Sequence, residues 1–233
     1  VTVYATPSTH NENTIEAVLF DLDGTLIDHF TTIHRSINYA FNELGVPEVS
    51  YERVRQTVGG SISITIRRLM GENQADEAVA LFRTQFDKIW REDLKVLPGA
   101  EWLLKELRSM GLKTVIFTNK EGPRARRITE YLGWNHLVDG VIGTLDTPWK
   151  KPEPEFTRHV LKQLRAEPNH ACLIGDSPFD LASAVCVNMP AYLVATGSHS
   201  IEELEQTNCQ GSYSDLYELA ELLFELKHTR THA

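Results

Sequence analysis

From residue 98 onward, short apolar runs alternate with stretches of helical periodicity. Residues 114–117 (TVIF), 138–142, 171–174 (ACLI) and 191–194 (AYLV) are too short for helices and rich in aliphatic residues, as buried strands are. Between and after them, helices are expected over 100–110, 124–132, 153–164, 181–187 and 213–226, with Gly111 and Gly133 as stops. Strands alternating with helices of this length make βαβ units and hence a parallel sheet. One more strand, 15–20 (IEAVLF), stands far upstream. The stretch between, 29–95, carries no convincing strand. Ile33, Ile37, Phe41 and Leu44 recur at helical steps before Gly45, and further helices are expected over 51–58, 62–70 and 75–90. An all-helical block therefore interrupts an α/β domain after its first strand.

Composition serves mainly to exclude. The 233 residues suffice for one α/β domain with an insert, and 42% hydrophobic with 24% charged residues is ordinary for a globular protein. Lysine and arginine number 23 against 32 aspartates and glutamates, a net charge of −9, which argues against nucleic acid and anionic membrane as partners. No apolar run approaches the ~20 residues of a membrane span. The N-terminal residues lack the basic and apolar halves of a signal peptide. The three cysteines, Cys172, Cys186 and Cys209, are odd in number and widely spaced, so neither a disulfide framework nor a zinc set is expected. A cytoplasmic protein, monomer or homodimer, is the expectation. Residues 1–14 read as a mobile leader, and 228–233 as a frayed tail.

In a doubly wound sheet, ligands sit beyond the carboxyl ends of the strands. After the first strand come Asp21, Asp23, Gly24 and Thr25; after the second, Thr118 and Asn119; before the helix that follows the third, Lys150 and Lys151; after the fourth, Gly175, Asp176, Ser177 and Asp180. Asp21 and Asp23 are two apart, so an extended backbone points both into one pocket while Leu22 turns inward. Asp176 and Asp180 share a face if a helix has begun by Asp176. Ser177 is a natural N-cap, with Pro178 in the first turn. Two like charges at 4 Å repel by about 4 kcal/mol at an effective dielectric of 20. Four carboxylates together call for a hard divalent cation with oxygen ligands, Mg²⁺ first among them. Beside a metal and a lysine, the fitting substrate is a phosphoryl group.

These stretches, DLDGT at 21–25, the strand ending in Thr118, KPEP at 151–154 and GDSPFD at 175–180, resemble in order the four motifs of the haloacid dehalogenase superfamily. The resemblance covers about 15–27 and 98–227, and the helical block resembles that superfamily's cap. It implies a Rossmann-like parallel-sheet core (15–27 and 98–233) with an inserted α-helical cap domain (28–97). It also implies a Mg²⁺-dependent phosphatase acting on a small phosphorylated metabolite, phosphoglycolate-like or a sugar phosphate. Asp21 would then be the nucleophile, forming an aspartyl-phosphate, and Asp23 the general acid and base. The Asp21 and Asp176 carboxylates and the Asp23 carbonyl would hold Mg²⁺, Asp180 would support them, and Lys151 and Thr118 would hold the phosphoryl oxygens. A phosphosugar mutase of the same fold and a non-catalytic metal- or phosphate-binding module are the alternatives.

Asp23 is the acidic residue that dehalogenases of the superfamily lack. The absence of lysine from 28–87 argues against the phosphonate-cleaving branch, which uses a cap lysine. The stretch 57–71 and the TNK at 118–120 are similar to phosphoglycolate-phosphatase-like proteins. Two departures stand out: His29 replaces a frequent serine, and VCVNMP at 185–190 replaces an alanine-glycine pair. Other readings stay open. Asn119 is either a strand-end turn residue or a phosphate donor. Gly59 and Gly60 break a helix or admit a ligand closely. Arg67 and Arg68 bind a substrate carboxylate or form a solvated helix face. Lys150 is the rival of Lys151. His29 is the one histidine expected near the site.

Overall fold

The computed structural model describes residues 14–228. All but residue 14 of the expected leader, and residues 229–233 of the expected frayed tail, lie outside them. The chain opens with β1 (Ala17–Phe20) and the short β2 (Ile27–Asp28). Four helices follow: α1 (Phe30–Glu43), α2 (Tyr51–Thr57), α3 (Ile62–Met70) and α4 (Ala75–Ile89). The short β3 (Lys95–Val96) leads back to α5 (Ala100–Ser109), β4 (Lys113–Glu121), α6 (Gly122–Tyr131) and β5 (Gly140–Thr144). The remainder is α7 (Pro154–Leu164), β6 (Ala171–Gly175), α8 (Pro178–Val185), β7 (Ala191–Val194), α9 (Ile201–Glu205), β8 (Gly211–Tyr213) and α10 (Leu216–Phe224).

Six strands form one parallel sheet in the order β5-β4-β1-β6-β7-β8. β1 lies in the interior of the sheet, paired with β4 and β6, and its four residues are all buried. Its side chains alternate between two cores. Val18 and Phe20 pack with Leu103, Leu107 and Ile128 of α5 and α6, while Ala17 and Leu19 pack with Phe156 and Val160 of α7. That alternation is why the run is unbroken apolar rather than patterned, since a strand covered on both faces has no polar side. Each large side chain so buried contributes about 1.5–3 kcal/mol.

Helices α1–α4 all lie between β2 and β3. These two strands pair antiparallel, Ile27 with Val96 and Asp28 with Lys95, and the Leu97 amide donates to the Leu26 carbonyl at 3.0 Å. Both crossings from sheet to helices therefore run side by side. Ile33, Ile37 and Phe41 of α1 are buried with Ala78, Phe82 and Phe86 of α4, as the helical periodicity requires.

Several expected boundaries move. The terminal helix begins at Leu216, because Gly211–Tyr213 form the edge strand β8. Helix α8 begins at Pro178 rather than 181, with Ser177 as its N-cap in a capping box with Asp180. Asp176 therefore precedes the helix, and its closeness to Asp180 does not come from a shared helix face. β4 runs on to Glu121, so Thr118 and Asn119 lie within a strand rather than after one. The three cysteines are free, and no helix among the described residues is long and apolar enough to cross a membrane.

Candidate active site

Asp21 follows β1 directly and stays in the ladder, its amide donating to the Ile174 carbonyl at 2.9 Å. Its carboxylate is thereby fixed at the carboxyl edge of the sheet, where the residues after β6 also emerge. The Lys151 ammonium donates to Asp21 Oδ1 at 2.7 Å and to Asp180 Oδ1 at 2.6 Å. Asp180 is held from behind by the Ser177 amide at 3.1 Å and the Ser177 hydroxyl at 2.6 Å. Asp176 Oδ2 accepts from the Ser198 amide at 2.7 Å and the Ser198 hydroxyl at 2.8 Å. Two glycines allow this packing. A Cβ on Gly24, whose φ is +94°, would stand 2.7 Å from Asp176 Oδ2, and one on Gly197 would collide with the same oxygen.

Oxygens of Asp21, Asp176 and Asp180 lie within 4.8 Å of one another, and all three residues are buried. Against these carboxylates stands the single ammonium of Lys151. The consequence is electrostatic. Burial pushes the Asp21 pKa up to about 7, Lys151 pulls it back, and Asp180 adds to the rise. Burial and the neighbouring Asp180 and Asp21 likewise push Asp176 well above the carboxylate range. Burial alone would lower Lys151, but Asp180 and Asp21 outweigh it and hold the ammonium above its ordinary value. An all-oxygen cluster with unanswered negative charge fits a hard divalent cation. Asp23 adds no carboxylate to this cluster, so only its backbone carbonyl could share in holding a metal.

The Asp23 side chain instead receives Lys120 Nζ on both oxygens, at 2.8 and 3.0 Å. Buried His29 lies behind it. Its Nε2–H donates to the Trp90 carbonyl at 2.6 Å, and Nδ1 stands 3.8 Å from Asp23 Oδ1 with no hydrogen-bond partner. Burial, reinforced by Lys120, pushes the imidazole pKa down to about 4, so the ring is neutral and Nδ1 is a bare acceptor.

Thr118 is buried beside this edge, and its hydroxyl oxygen accepts from the Lys120 amide at 3.1 Å. Asn119 is fully engaged: Oδ1 accepts from the Lys151 amide at 2.8 Å, and Nδ2 donates to the Lys151 carbonyl at 3.2 Å and the Gly59 carbonyl at 2.9 Å. It ties the Lys151 loop to the helical insert. Lys150 points elsewhere, towards Glu153 at 3.9 Å. Of the glycine pair, Gly59 (φ +129°) makes that contact, and Gly60 lines the cavity in front of Asp23. Arg67 is not brought to the site. Its guanidinium is taken by Glu72 at 2.9 Å, by Asp76 at 2.7 Å and by Ser63. Arg68 lies 5.2 Å over the Phe179 ring.

Lys120 and Ser198 are additions to the residues expected at the site, and both carry a signal in the sequence. Lys120 is two residues beyond Thr118, on the same side of an extended strand. Ser198 comes after β7, whose carboxyl end opens onto the same edge of the sheet.

A parallel, doubly wound sheet with buried carboxylates and a lysine at its carboxyl edge defines an α/β enzyme. The chain belongs to the haloacid dehalogenase-like hydrolases, whose family model matches residues 18–194. It is 27% identical over 221 residues to the phosphoglycolate phosphatase of Psychrobacter arcticus, covering 90% of this chain and 96% of that one. It is 29% identical over 213 residues to the phosphoglycolate phosphatase of Chromobacterium violaceum, covering 88% and 96%. A crystal structure described as a predicted phosphatase from Clostridium acetobutylicum superposes with a TM-score of 0.84 at 27% identity, covering 91% of this chain and 100% of that one.

Proposed function

We propose that the chain is a Mg²⁺-dependent phosphatase that hydrolyses small phosphate monoesters through an aspartyl-phosphate on Asp21, beneath a cap formed by α1–α4. One observation carries the reading: Lys151 bridges Asp21 and Asp180 at 2.7 and 2.6 Å, with Asp176 in the same cluster. The Asp21 and Asp176 carboxylates and the Asp23 carbonyl would hold Mg²⁺, which would neutralise charge on the transferring group and keep Asp21 ionised.

The protein's own residues divide the rest. An Asp21 oxygen attacks phosphorus as the ester P–O bond breaks, and Asp23 gives its proton to the departing alkoxide. Asp23 then takes a proton from the water that attacks the acyl phosphate, which releases inorganic phosphate and restores Asp21. Lys151 spends two of its three N–H donors on Asp21 and Asp180, so the third is free for a phosphoryl oxygen. The Thr118 hydroxyl proton supplies another donor. Asp180 and Asn119 fix Lys151 from two sides, which is the pre-organisation that phosphoryl transfer needs.

The test is phosphate release from an aryl phosphate and a panel of small esters, with Mg²⁺, with chelator, and with Asp21→Asn. Release that depends on Mg²⁺ and on Asp21 is expected. Release that survives both controls contradicts the reading.

A further inference from the structure

The loop after β7, residues 195–199, is tied to the carboxyl edge of the sheet at two points. The Thr196 hydroxyl donates to the Gly24 carbonyl at 2.7 Å, next to Asp23. The Ser198 amide and hydroxyl both donate to Asp176 Oδ2, while among the described residues nothing donates to Oδ1. Gly197 lets the loop lie this close, since a Cβ there would collide with Asp176 Oδ2.

The same loop is gripped from the helical insert. Arg55 of α2 donates through Nη2 to the Gly197 carbonyl at 2.5 Å, across 142 residues of sequence. Among the described residues, Arg55 makes no ion pair that would compete for it. The Gly197 carbonyl and the Ser198 amide belong to one planar peptide group. A guanidinium therefore sits at one end of that group and a carboxylate at the other. Each bond polarises the peptide in the sense that strengthens its partner, and the charge of Arg55 makes the first a strong one. An arginine of the insert is thus joined to Asp176 through a single rigid unit. The other ties between insert and sheet bypass it: Arg83 holds Glu121 at 2.7 Å, and the Gly59 carbonyl accepts from Asn119 at 2.9 Å.

We propose that Arg55 is a positioning residue for the metal site: it holds the Gly197–Ser198 peptide against Asp176, so that docking of the insert and binding of the divalent cation strengthen each other. This rests on the assignment of Asp176 as a metal ligand in the phosphatase reading. Partners that orient a ligating carboxylate typically change metal affinity by about 10–100-fold. Coupling between two equilibria is reciprocal. Loss of Arg55 therefore loosens Asp176, and a bound cation in turn tightens the hold on α2.

The experiment measures Mg²⁺ binding to the whole metal-free protein by titration calorimetry. Arg55→Met, which keeps an unbranched side chain and loses the donors, is expected to raise the Mg²⁺ Kd by about fivefold or more, the lower end of ordinary coupling. Should that variant not fold, Arg55→Ala makes the same test. Arg83→Met is the control, because it loosens the insert at Glu121 without touching the 197–198 peptide. Its Kd is expected to stay within about twofold of wild type. Amide hydrogen exchange reads the reciprocal effect: Mg²⁺ is expected to slow exchange in α2 of the wild type and not in the Arg55 variant. A smaller rise in Kd for a folded Arg55 variant, an equal rise for Arg83→Met, or α2 exchange that Mg²⁺ leaves unchanged in the wild type or slows equally in the variant overturns this inference and leaves the phosphatase reading standing. No Mg²⁺ binding to the wild type, or binding that Asp176→Asn leaves unchanged, overturns both.

Discussion

The carboxyl edge of the sheet and the cavity beside it lie a few residues apart and follow opposite electrostatic rules. At the edge, Asp21, Asp176 and Asp180 share one ammonium, and burial drives Asp21 and Asp176 towards protonation. In the cavity, Asp23 pairs with Lys120 and Glu121 with Arg124, and the facing wall is hydrocarbon except for Thr65 and the Gly60 backbone. An edge left electrostatically incomplete is what the proposed cation and phosphoryl group would complete. The two regions also differ in origin, one made from strand ends and the other largely from the helical insert.

The comparison can be broken at its strongest point by removing the proposed nucleophile. Asp21→Asn is expected to lower phosphate release by about 10⁴-fold or more, measured as kcat at saturating ester and Mg²⁺. A smaller but still large effect is expected from chelation. Removing Mg²⁺ should cost about 10²-fold or more in kcat, and adding it at a hundred times its Kd should stabilise the fold by about 2.7 kcal/mol. A chemical melt with and without the ion reads the second number.

The edge also predicts its own dependence on a single cation. Lys151→Met leaves buried carboxylates uncompensated and is expected to destabilise the metal-free protein by about 3–5 kcal/mol, read from urea midpoints. The same imbalance has a pH signature. Asp21 binds its proton more tightly folded than unfolded, with its pKa raised from 3.8 to about 7. Its contribution to stability is therefore full below the lower value and lost as pH rises to the upper one. Urea midpoints of the metal-free wild type should fall across that window, and those of Asp21→Asn should fall less.

The smallest effect sharpens the other side of the comparison. Arg67 is occupied by Glu72 and Asp76 on the outer face of the insert. Arg67→Ala should therefore leave kcat/KM for any ester within about twofold of wild type, as surface substitutions usually do.

The strand-end residues were legible because one rule, that ligands gather at the carboxyl ends of parallel strands, brings Asp21, Lys151 and Asp176 together without knowledge of side-chain geometry. The helices of the insert were legible because Ile33, Ile37 and Phe41 bury at helical intervals. The β2–β3 pair was not, since two residues per strand are too few for any period. Nor was β8, because Tyr213 also begins an apolar pattern that fits α10. The pairing of Arg124 with Asp87 links residues 37 apart in sequence and depends on α4 settling over α6. No local pattern encodes it, and the same is true of His29, whose neutral ring is set by its burial, reinforced by Lys120.

The most direct test of a nucleophilic Asp21 is acid quench during turnover, followed by peptide mapping for covalent phosphate. Phosphate on the peptide that carries Asp21, absent from Asp21→Asn, is the predicted result. Phosphate on a different residue, or full turnover by Asp21→Asn, would contradict it.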